Sequence, residues 1–210
     1  MIKHILFDLD GTLYSMSKGM DEFFRKRIQE FTASWLGLSW EECMPLWKEA
    51  LKRYGTTLEW LIAEKGFTDT EAFMAHVHPE NEVDFLPDDP ELRPFLEALP
   101  CPCSILTNAP RFHADRVIKK LNVEGIFKEI FALDDPGAGG KPHPASYQRV
   151  LDCYGLSPKQ MLFIDDLPKY VEGYIKIGGK ALLMDENDVF KDYPLERIRN
   201  LKEIIKYLEE

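Results

Sequence analysis

Hydrophobic and polar residues follow two different patterns along this chain. Short, largely apolar runs such as Ile5-Leu6-Phe7, Ser104-Ile105-Leu106 and Leu162-Phe163-Ile164 predict buried strands. From about residue 18 to residue 78, apolar residues recur at helical spacing with breaks at glycines, which predicts a run of short helices. From about residue 90 onward, predicted strands alternate with predicted helices, and this alternation is typical of a parallel sheet with right-handed crossovers.

These patterns predict an α/β fold in two parts. Residues 1–15 and 86–210 are expected to form one sheet-containing domain, and residues 16–85 a small α-helical domain inserted after the first strand. Near the end of the chain, apolar residues between Leu195 and Leu208 again have helical spacing, so a final helix is predicted there.

Three of the predicted strands run directly into polar residues. Asp8, Thr107 and Asp165 each follow a strand or end it. In open parallel sheets, ligands bind beyond the carboxyl ends of the strands, where positions that are distant in sequence meet. We therefore expect these three side chains at one edge of the sheet.

Two carboxylates one residue apart, Asp8 and Asp10, precede Gly11, which can take the sharp turn they need. One carboxylate could attack phosphorus and form an aspartyl phosphate, while the other protonates the leaving oxygen. We predict Asp8 as the nucleophile and Asp10 as the general acid, which then acts as the base for water.

Other polar residues complete a predicted phosphate site. Asp165 and Asp166 add negative charge to the same edge, and a hard divalent ion such as Mg²⁺ would offset it. Thr107 and Asn108 offer a hydroxyl and an amide to phosphate oxygens. Lys141 adds the cation that stabilises phosphate in the transition state.

The charge balance limits the partners. The chain carries 36 acidic and 26 basic residues, for a net charge of -10, which disfavours nucleic-acid polymers and anionic membranes. A small phosphorylated metabolite is the expected partner, and the sequence does not indicate an oligomeric state. The four cysteines form no C-x-x-C pattern, and Met1 leads directly into a strand, so we expect a cytoplasmic protein.

The polar residues also resemble the four signature motifs of the haloacid dehalogenase superfamily. The motifs read Phe7-Asp8-Leu9-Asp10-Gly11-Thr12-Leu13-Tyr14, Leu106-Thr107-Asn108, Gly140-Lys141-Pro142 and Phe163-Ile164-Asp165-Asp166. The resemblance implies a Rossmann-like sheet of strand order 3-2-1-4-5 with a small α-helical cap.

The same resemblance implies a set of contacts for Mg²⁺ and for phosphate. The metal ligands would be Asp8, the backbone carbonyl of Asp10, and Asp165, with Asp166 binding directly or through a neighbour. The residues that we expect around the phosphate are Asp8, Leu9, Asp10, Thr107, Asn108 and Lys141.

A narrower resemblance concerns the substrate. The segments Tyr54-Gly55-Thr56-Thr57-Leu58, Leu86-Pro87-Asp88-Asp89-Pro90 and Thr107-Asn108-Ala109-Pro110-Arg111-Phe112-His113-Ala114 are similar to segments of pyrimidine 5'-nucleotidases. Candidate substrate contacts are Tyr54, Thr56, Thr57 and Arg111. The chain departs from that group at Tyr170, where the group commonly has Asn.

The sequence thus predicts a Mg²⁺-dependent phosphatase, with a pyrimidine 5'-nucleotide such as UMP or CMP as the favoured substrate. Three alternatives stay open. A phosphoglycolate- or sugar-phosphate-type phosphatase would share every core residue. A 2-haloacid dehalogenase would use Asp8 but would not need Asp10 to protonate an alkoxide. A noncatalytic protein could use the same pocket only to bind phosphate.

Overall fold

The computed structural model describes residues 1–16, 19–136 and 139–208. Its chain divides into two compact units. One unit combines Met1–Ser15 with Leu86–Glu210, and the other consists of Met16–Phe85. The first contains a β-sheet with helices, and the described elements of the second are all helical.

The inserted unit is built from short helices. In its described part these are α1 (Met20–Leu36), α2 (Trp40–Ala50), α3 (Thr57–Lys65), α4 (Thr70–Val77) and the 3₁₀ helix Glu80–Phe85. Gly37 and Gly66 follow α1 and α3 with φ of 68° and 70°, a left-handed conformation that glycine adopts without steric cost. Helix α1 packs against α2 and α4. The predicted run of short helices with glycine breaks is therefore confirmed.

The larger unit contains a parallel sheet of order β3-β2-β1-β4-β5-β6. Its strands are β1 (His4–Phe7), β2 (Cys103–Leu106), β3 (Ile130–Phe131), β4 (Met161–Asp165), β5 (Lys180–Met184) and β6 (Arg197–Ile198). The helices of this unit are α5 (Leu92–Glu97), α6 (Arg111–Lys120), α7 (Pro144–Tyr154) and α8 (Pro168–Lys176), with 3₁₀ helices at Pro158–Gln160 and Leu201–Tyr207. The predicted Rossmann-like α/β fold and the order 3-2-1-4-5 are confirmed.

The strands of this sheet are buried over most of their length, and β1, β2 and β4 are buried at every position. Helices cover both faces of a parallel sheet, so its central strands are mostly apolar rather than alternating with polar residues, and their exceptions are His4, Ser104 and Asp165. On one face, Tyr147 from α7 and Tyr174 from α8 pack around Phe163 of β4. This packing fixes α7 and α8 against β4.

The prediction of a single final helix is wrong. Arg197–Ile198 instead forms β6, and a 3₁₀ helix follows it at Leu201–Tyr207. The backbone amides of Leu183 and Asp185 donate to Glu196 and Ile198, so this segment satisfies the edge of β5. The hydrogen bonds of that sheet edge override the helical spacing of the apolar residues.

Two further observations concern the chain as a whole. All four cysteines, Cys43, Cys101, Cys103 and Cys153, lie in the described part and are free thiols. Among the described residues, no helix combines the length and the apolar character that crossing a membrane requires.

Candidate active site

The register of the sheet places Asp8 beside Asp165. Phe7 of β1 is paired with Ile164 of β4, and the amide of Asp8 donates to the carbonyl of Ile164 at 2.8 Å. The next residue on each strand is therefore an aspartate, and both aspartates are buried. Two carboxyl groups thus meet inside the protein at the carboxyl end of the central strands.

Lys141 bridges these two carboxylates. Its Nζ donates to Asp8 Oδ1 at 2.6 Å and to Asp165 Oδ2 at 2.6 Å, and the residue is only 1% exposed. Burial alone would lower the pKa of Lys141, but the charges of Asp165 and Asp8 raise it above its ordinary value. The short distances are those of charge-assisted hydrogen bonds, so the Lys141 ammonium holds the two carboxyl groups together.

Asp166 completes an acidic cluster. Asp8, Asp165 and Asp166 each offer a carboxylate oxygen, and these oxygens lie within 4.8 Å of one another. Gly11 adopts φ of 85°, and a Cβ at this position would lie 2.6 Å from Asp166 Cγ. The turn after Asp10 therefore needs glycine both for its backbone conformation and for the close approach of Asp166.

If all three carboxyl groups were ionised, the cluster would have more negative charge than Lys141 can neutralise. Burial, followed by the charges of Asp165 and Asp10, raises the pKa of Asp8 to about 8, although Lys141 opposes this shift. Burial also raises the pKa of Asp165, and burial together with Asp165 raises the pKa of Asp166 well above its usual range. Converging carboxyl oxygens that resist ionisation without a further cation fit a hard divalent ion such as Mg²⁺. Asp8, Asp165 and Asp166 are the side chains that would hold it.

Asp10 lies next to this cluster and is held by two side chains. The hydroxyl of Tyr14 donates to Asp10 Oδ1, and His113 Nε2 lies 2.7 Å from the same oxygen. His113 is fully buried on α6. The sequence analysis gives His113 no role, and its place in the segment that resembles pyrimidine 5'-nucleotidases is the only sequence signal that points to it.

The side chain of Asn108 binds the backbone of Lys141. Its Oδ1 accepts from the Lys141 amide at 2.7 Å, and its Nδ2 donates to the Lys141 carbonyl at 2.9 Å. Contact between this side chain and phosphate stays a prediction, as does the contact through Leu9. Thr107 is buried at the end of β2, and its hydroxyl accepts from the amide of Ala109 at 3.0 Å.

The predicted substrate residues of the inserted unit all make hydrogen bonds within that unit. The hydroxyl of Tyr54 donates to Glu64, and the hydroxyl of Thr56 accepts from the amide of Glu59 at the start of α3. Thr57 is buried and accepts from Trp47 Nε1 at 2.9 Å. These contacts explain the three residues structurally, and their role towards a substrate stays a prediction.

Arg111, the fourth predicted substrate residue, is paired with acidic residues of the larger unit. Its Nη2 donates to both carboxylate oxygens of Asp135, at 2.9 and 3.1 Å, and Nη1 lies 3.7 Å from Glu129. Its backbone amide donates to Asp134. The guanidinium is therefore held at the start of α6, and its contact with a substrate also stays a prediction.

A cavity of about 590 Å³ lies in the larger unit beside the segment from Gly11 to Ser15. Other walls come from α5, from Met184 at the end of β5, and from residues Arg199 to Lys202. None of Asp8, Lys141, Asp165 and Asp166 lines this cavity. The cluster of Asp8, Lys141, Asp165 and Asp166, rather than this cavity, identifies the candidate active site.

Comparison with known proteins agrees with this geometry. The chain is 24% identical, over its full length and 99% of the relative, to a glyceraldehyde 3-phosphate phosphatase of Methanocaldococcus jannaschii. It is 28% identical to a phosphoglycolate phosphatase of Aquifex aeolicus, with 96% of this chain and 95% of the relative covered. A putative HAD-hydrolase of Bacillus subtilis, crystallised with magnesium, superposes with a TM-score of 0.69 at 18% identity, over 100% of this chain and 99% of that one.

The chain also matches a known protein family over most of its length. The model of the haloacid dehalogenase-like hydrolases matches residues 2–178, a stretch that runs from β1 through α8 and contains all four motifs. The buried aspartates, the bridging lysine and the parallel sheet are the features that this match covers. The chain therefore belongs to the haloacid dehalogenase-like hydrolase family.

Proposed function

We propose that this protein is a Mg²⁺-dependent phosphatase that hydrolyses a small phosphomonoester through an aspartyl phosphate on Asp8. The observation that carries the proposal is the bridge from Lys141 to Asp8 and Asp165, at 2.6 Å each. A carboxylate held beside a fixed ammonium can attack phosphorus, while the ammonium stabilises the charge that spreads over the phosphoryl oxygens. The curated relatives named above as phosphatases support this chemistry.

In the first step, a carboxylate oxygen of Asp8 attacks phosphorus, and the bond from phosphorus to the ester oxygen breaks. Asp10 gives its proton to that leaving oxygen. In the second step, Asp10 takes a proton from water, the water oxygen attacks phosphorus, and the bond to Asp8 breaks. Tyr14 and His113 hold Asp10 Oδ1, so they fix one oxygen of the carboxyl group that moves the proton.

Other residues of the site bind and neutralise the phosphate. Lys141 supplies the ammonium, and we assign Thr107 a hydrogen bond to a phosphoryl oxygen. Mg²⁺, held by Asp8, Asp165 and Asp166 with the Asp10 carbonyl, would screen the repulsion between Asp8 and the incoming phosphate when bound. We also propose that the inserted unit, residues 16–85, acts as a cap that limits access of bulk water.

Two substrate classes are proposed for this site. The curated relatives favour small phosphorylated metabolites such as phosphoglycolate and glyceraldehyde 3-phosphate. The segments around Tyr54 and Arg111 favour pyrimidine 5'-nucleotides such as UMP and CMP, with Tyr54, Thr56, Thr57 and Arg111 as substrate contacts. Fold and core chemistry are shared, so residues outside the acidic cluster decide between the classes.

A phosphate-release screen tests the proposal. The purified protein is assayed with Mg²⁺ against UMP, CMP, phosphoglycolate and glyceraldehyde 3-phosphate, with EDTA and Asp8→Asn as controls. We expect turnover of at least one ester that both controls abolish. Failure to release phosphate from all four and from p-nitrophenyl phosphate would contradict the phosphatase, and chloride release from a 2-haloacid without Mg²⁺ would favour the dehalogenase.

A further inference from the structure

Tyr170 stands out because the sequence departs from its resemblance at this position. In the structure, the side chain lies beside Lys141. We propose that Tyr170 is a positioning residue that holds Lys141 in place for catalysis, an inference that rests on the proposed phosphatase function. Its hydroxyl and its ring act on different parts of Lys141.

The hydroxyl acts through Asn108. Asn108 Nδ2 donates to the Tyr170 hydroxyl at 3.0 Å and to the Lys141 carbonyl at 2.9 Å, while Asn108 Oδ1 accepts from the Lys141 amide. An amide group has two N–H donors and one oxygen, so these contacts use both of its donors and fix its orientation. The tyrosine hydroxyl thereby keeps the Asn108 oxygen aimed at the Lys141 amide.

The ring acts on the ammonium. Lys141 Nζ lies over the Tyr170 ring, 5.0 Å from its centroid, and 5.6 Å from the centroid of Phe163. A cation within about 6 Å of an aromatic face is attracted to it, and the attraction is larger when the cation is desolvated, as it is here. The ring offers no oxygen or nitrogen that would compete with Asp8 and Asp165 for the ammonium hydrogens.

Tyr170 is itself fixed. The residue is 7% exposed, its amide donates to the Leu167 carbonyl at 2.9 Å, and its carbonyl accepts from the Tyr147 hydroxyl at 2.7 Å. These bonds tie the first turn of α8 to α7. A ring held in this way can set the position of a long lysine side chain, which would otherwise lose considerable entropy on being ordered.

Tyr174 provides a matched control on the same helix. It lies one turn after Tyr170, is fully buried, and packs against Tyr147 and Phe163. Its hydroxyl donates to the Pro158 carbonyl at 3.1 Å rather than to a group of the site. Matching substitutions at Tyr170 and Tyr174 therefore remove the same atoms from the same hydrophobic core. Only the Tyr170 substitutions remove a group that contacts Asn108 and Lys141.

The experiment compares Tyr170→Phe and Tyr170→Leu with Tyr174→Phe and Tyr174→Leu, using p-nitrophenyl phosphate and the best ester from the screen. Loss of one hydrogen bond should lower kcat about fivefold in Tyr170→Phe. Loss of the ring should lower kcat about 30-fold or more in Tyr170→Leu, with KM changed less than about threefold. Both Tyr174 variants should keep kcat within about twofold of the parent when folded.

A second readout does not depend on activity. Amide hydrogen exchange of Lys141, measured relative to Val150 of α7 in the same variant, should rise about tenfold in both Tyr170 variants and in neither Tyr174 variant. Equal kcat and equal relative exchange for matched Tyr170 and Tyr174 variants would overturn the inference. If the parent hydrolyses no ester, the proposed function fails, and the exchange comparison still decides whether Tyr170 holds Lys141.

Discussion

The two ends of the central strands bury polar side chains of different kinds. At the amino-terminal end, His4 of β1 lies 3.0 Å from Ser104 of β2, and Ser104 lies 2.6 Å from the hydroxyl of Tyr154. At the carboxyl end, Asp8 and Lys141 belong to a cluster that contains three carboxyl groups. Both ends are buried in one sheet, so burial alone does not indicate function.

The two ends differ in whether their buried polar groups are neutral and hydrogen-bonded to one another or are carboxyl groups crowded together. The His4 ring stacks on Tyr154 with centroids 4.2 Å apart, and the network is a chain of neutral hydrogen-bonding groups. Such a network specifies packing at low electrostatic cost. The carboxyl end retains carboxyl groups whose pKa values are raised by burial, and strong perturbation of this kind clusters at functional sites.

The largest effect that separates the two ends is expected for Asp8→Asn. This change should lower kcat by about 10⁴-fold or more, because an amide cannot form the aspartyl phosphate. The free energy of unfolding should change by less than about 1 kcal/mol, since a buried negative charge is removed while Lys141 keeps Asp165. Phosphate release and urea unfolding measure the two quantities. The isosteric control is Asp115→Asn, at an exposed position of α6. If Asp8→Asn lowered kcat by less than tenfold, Asp8 would not be the nucleophile.

The sequence predicts the carboxyl end of the central strands well, because the acidic residues there end a strand or follow it directly. A polar residue at the carboxyl end of a parallel strand needs only the strand order to be placed, and that order puts Asp8 next to Asp165. The turn at Gly11 is likewise a local feature that the sequence displays.

Contacts between helices and loops are harder to predict. Tyr170 and His113 lie on α8 and α6, and their contacts with Asn108 and Asp10 depend on side-chain positions across elements that no periodicity encodes. The segment around Arg197 shows the opposite failure, because its helical spacing is a local signal that the exposed edge of β5 overrides. Local patterns therefore predict where strands end better than they predict what neighbouring helices bring to the site.

Acid should destabilise the protein through the buried polar network at the amino-terminal end of the central strands. Burial beside Ser104 and Tyr154 lowers the pKa of His4 from 6.5 to about 4. Between pH 6.5 and pH 4, His4 therefore binds a proton in the unfolded chain but not in the folded protein. The stabilisation from neutral His4 is fully present above pH 6.5 and is lost as pH falls towards 4. We expect a loss of about 3 kcal/mol from this shift. Urea unfolding at several pH values measures it, and His4→Phe, which keeps a ring to stack on Tyr154, should flatten the profile. An unchanged profile in that variant would assign the acid sensitivity to other groups.

The smallest expected effect is that of Ser104→Ala, and it examines whether the two ends act independently. The change removes the hydroxyl between His4 and Tyr154, which should lower the free energy of unfolding by about 1 kcal/mol. Because Ser104 lies in the amino-terminal half of β2 and makes no contact with the acidic cluster among its described hydrogen bonds, kcat should stay within about twofold of the parent. Urea unfolding and phosphate release on the same preparation give both values. A tenfold fall in kcat with the fold intact would mean that the neutral network positions β1, and with it Asp8, so that packing at one end of the sheet sets the chemistry at the other.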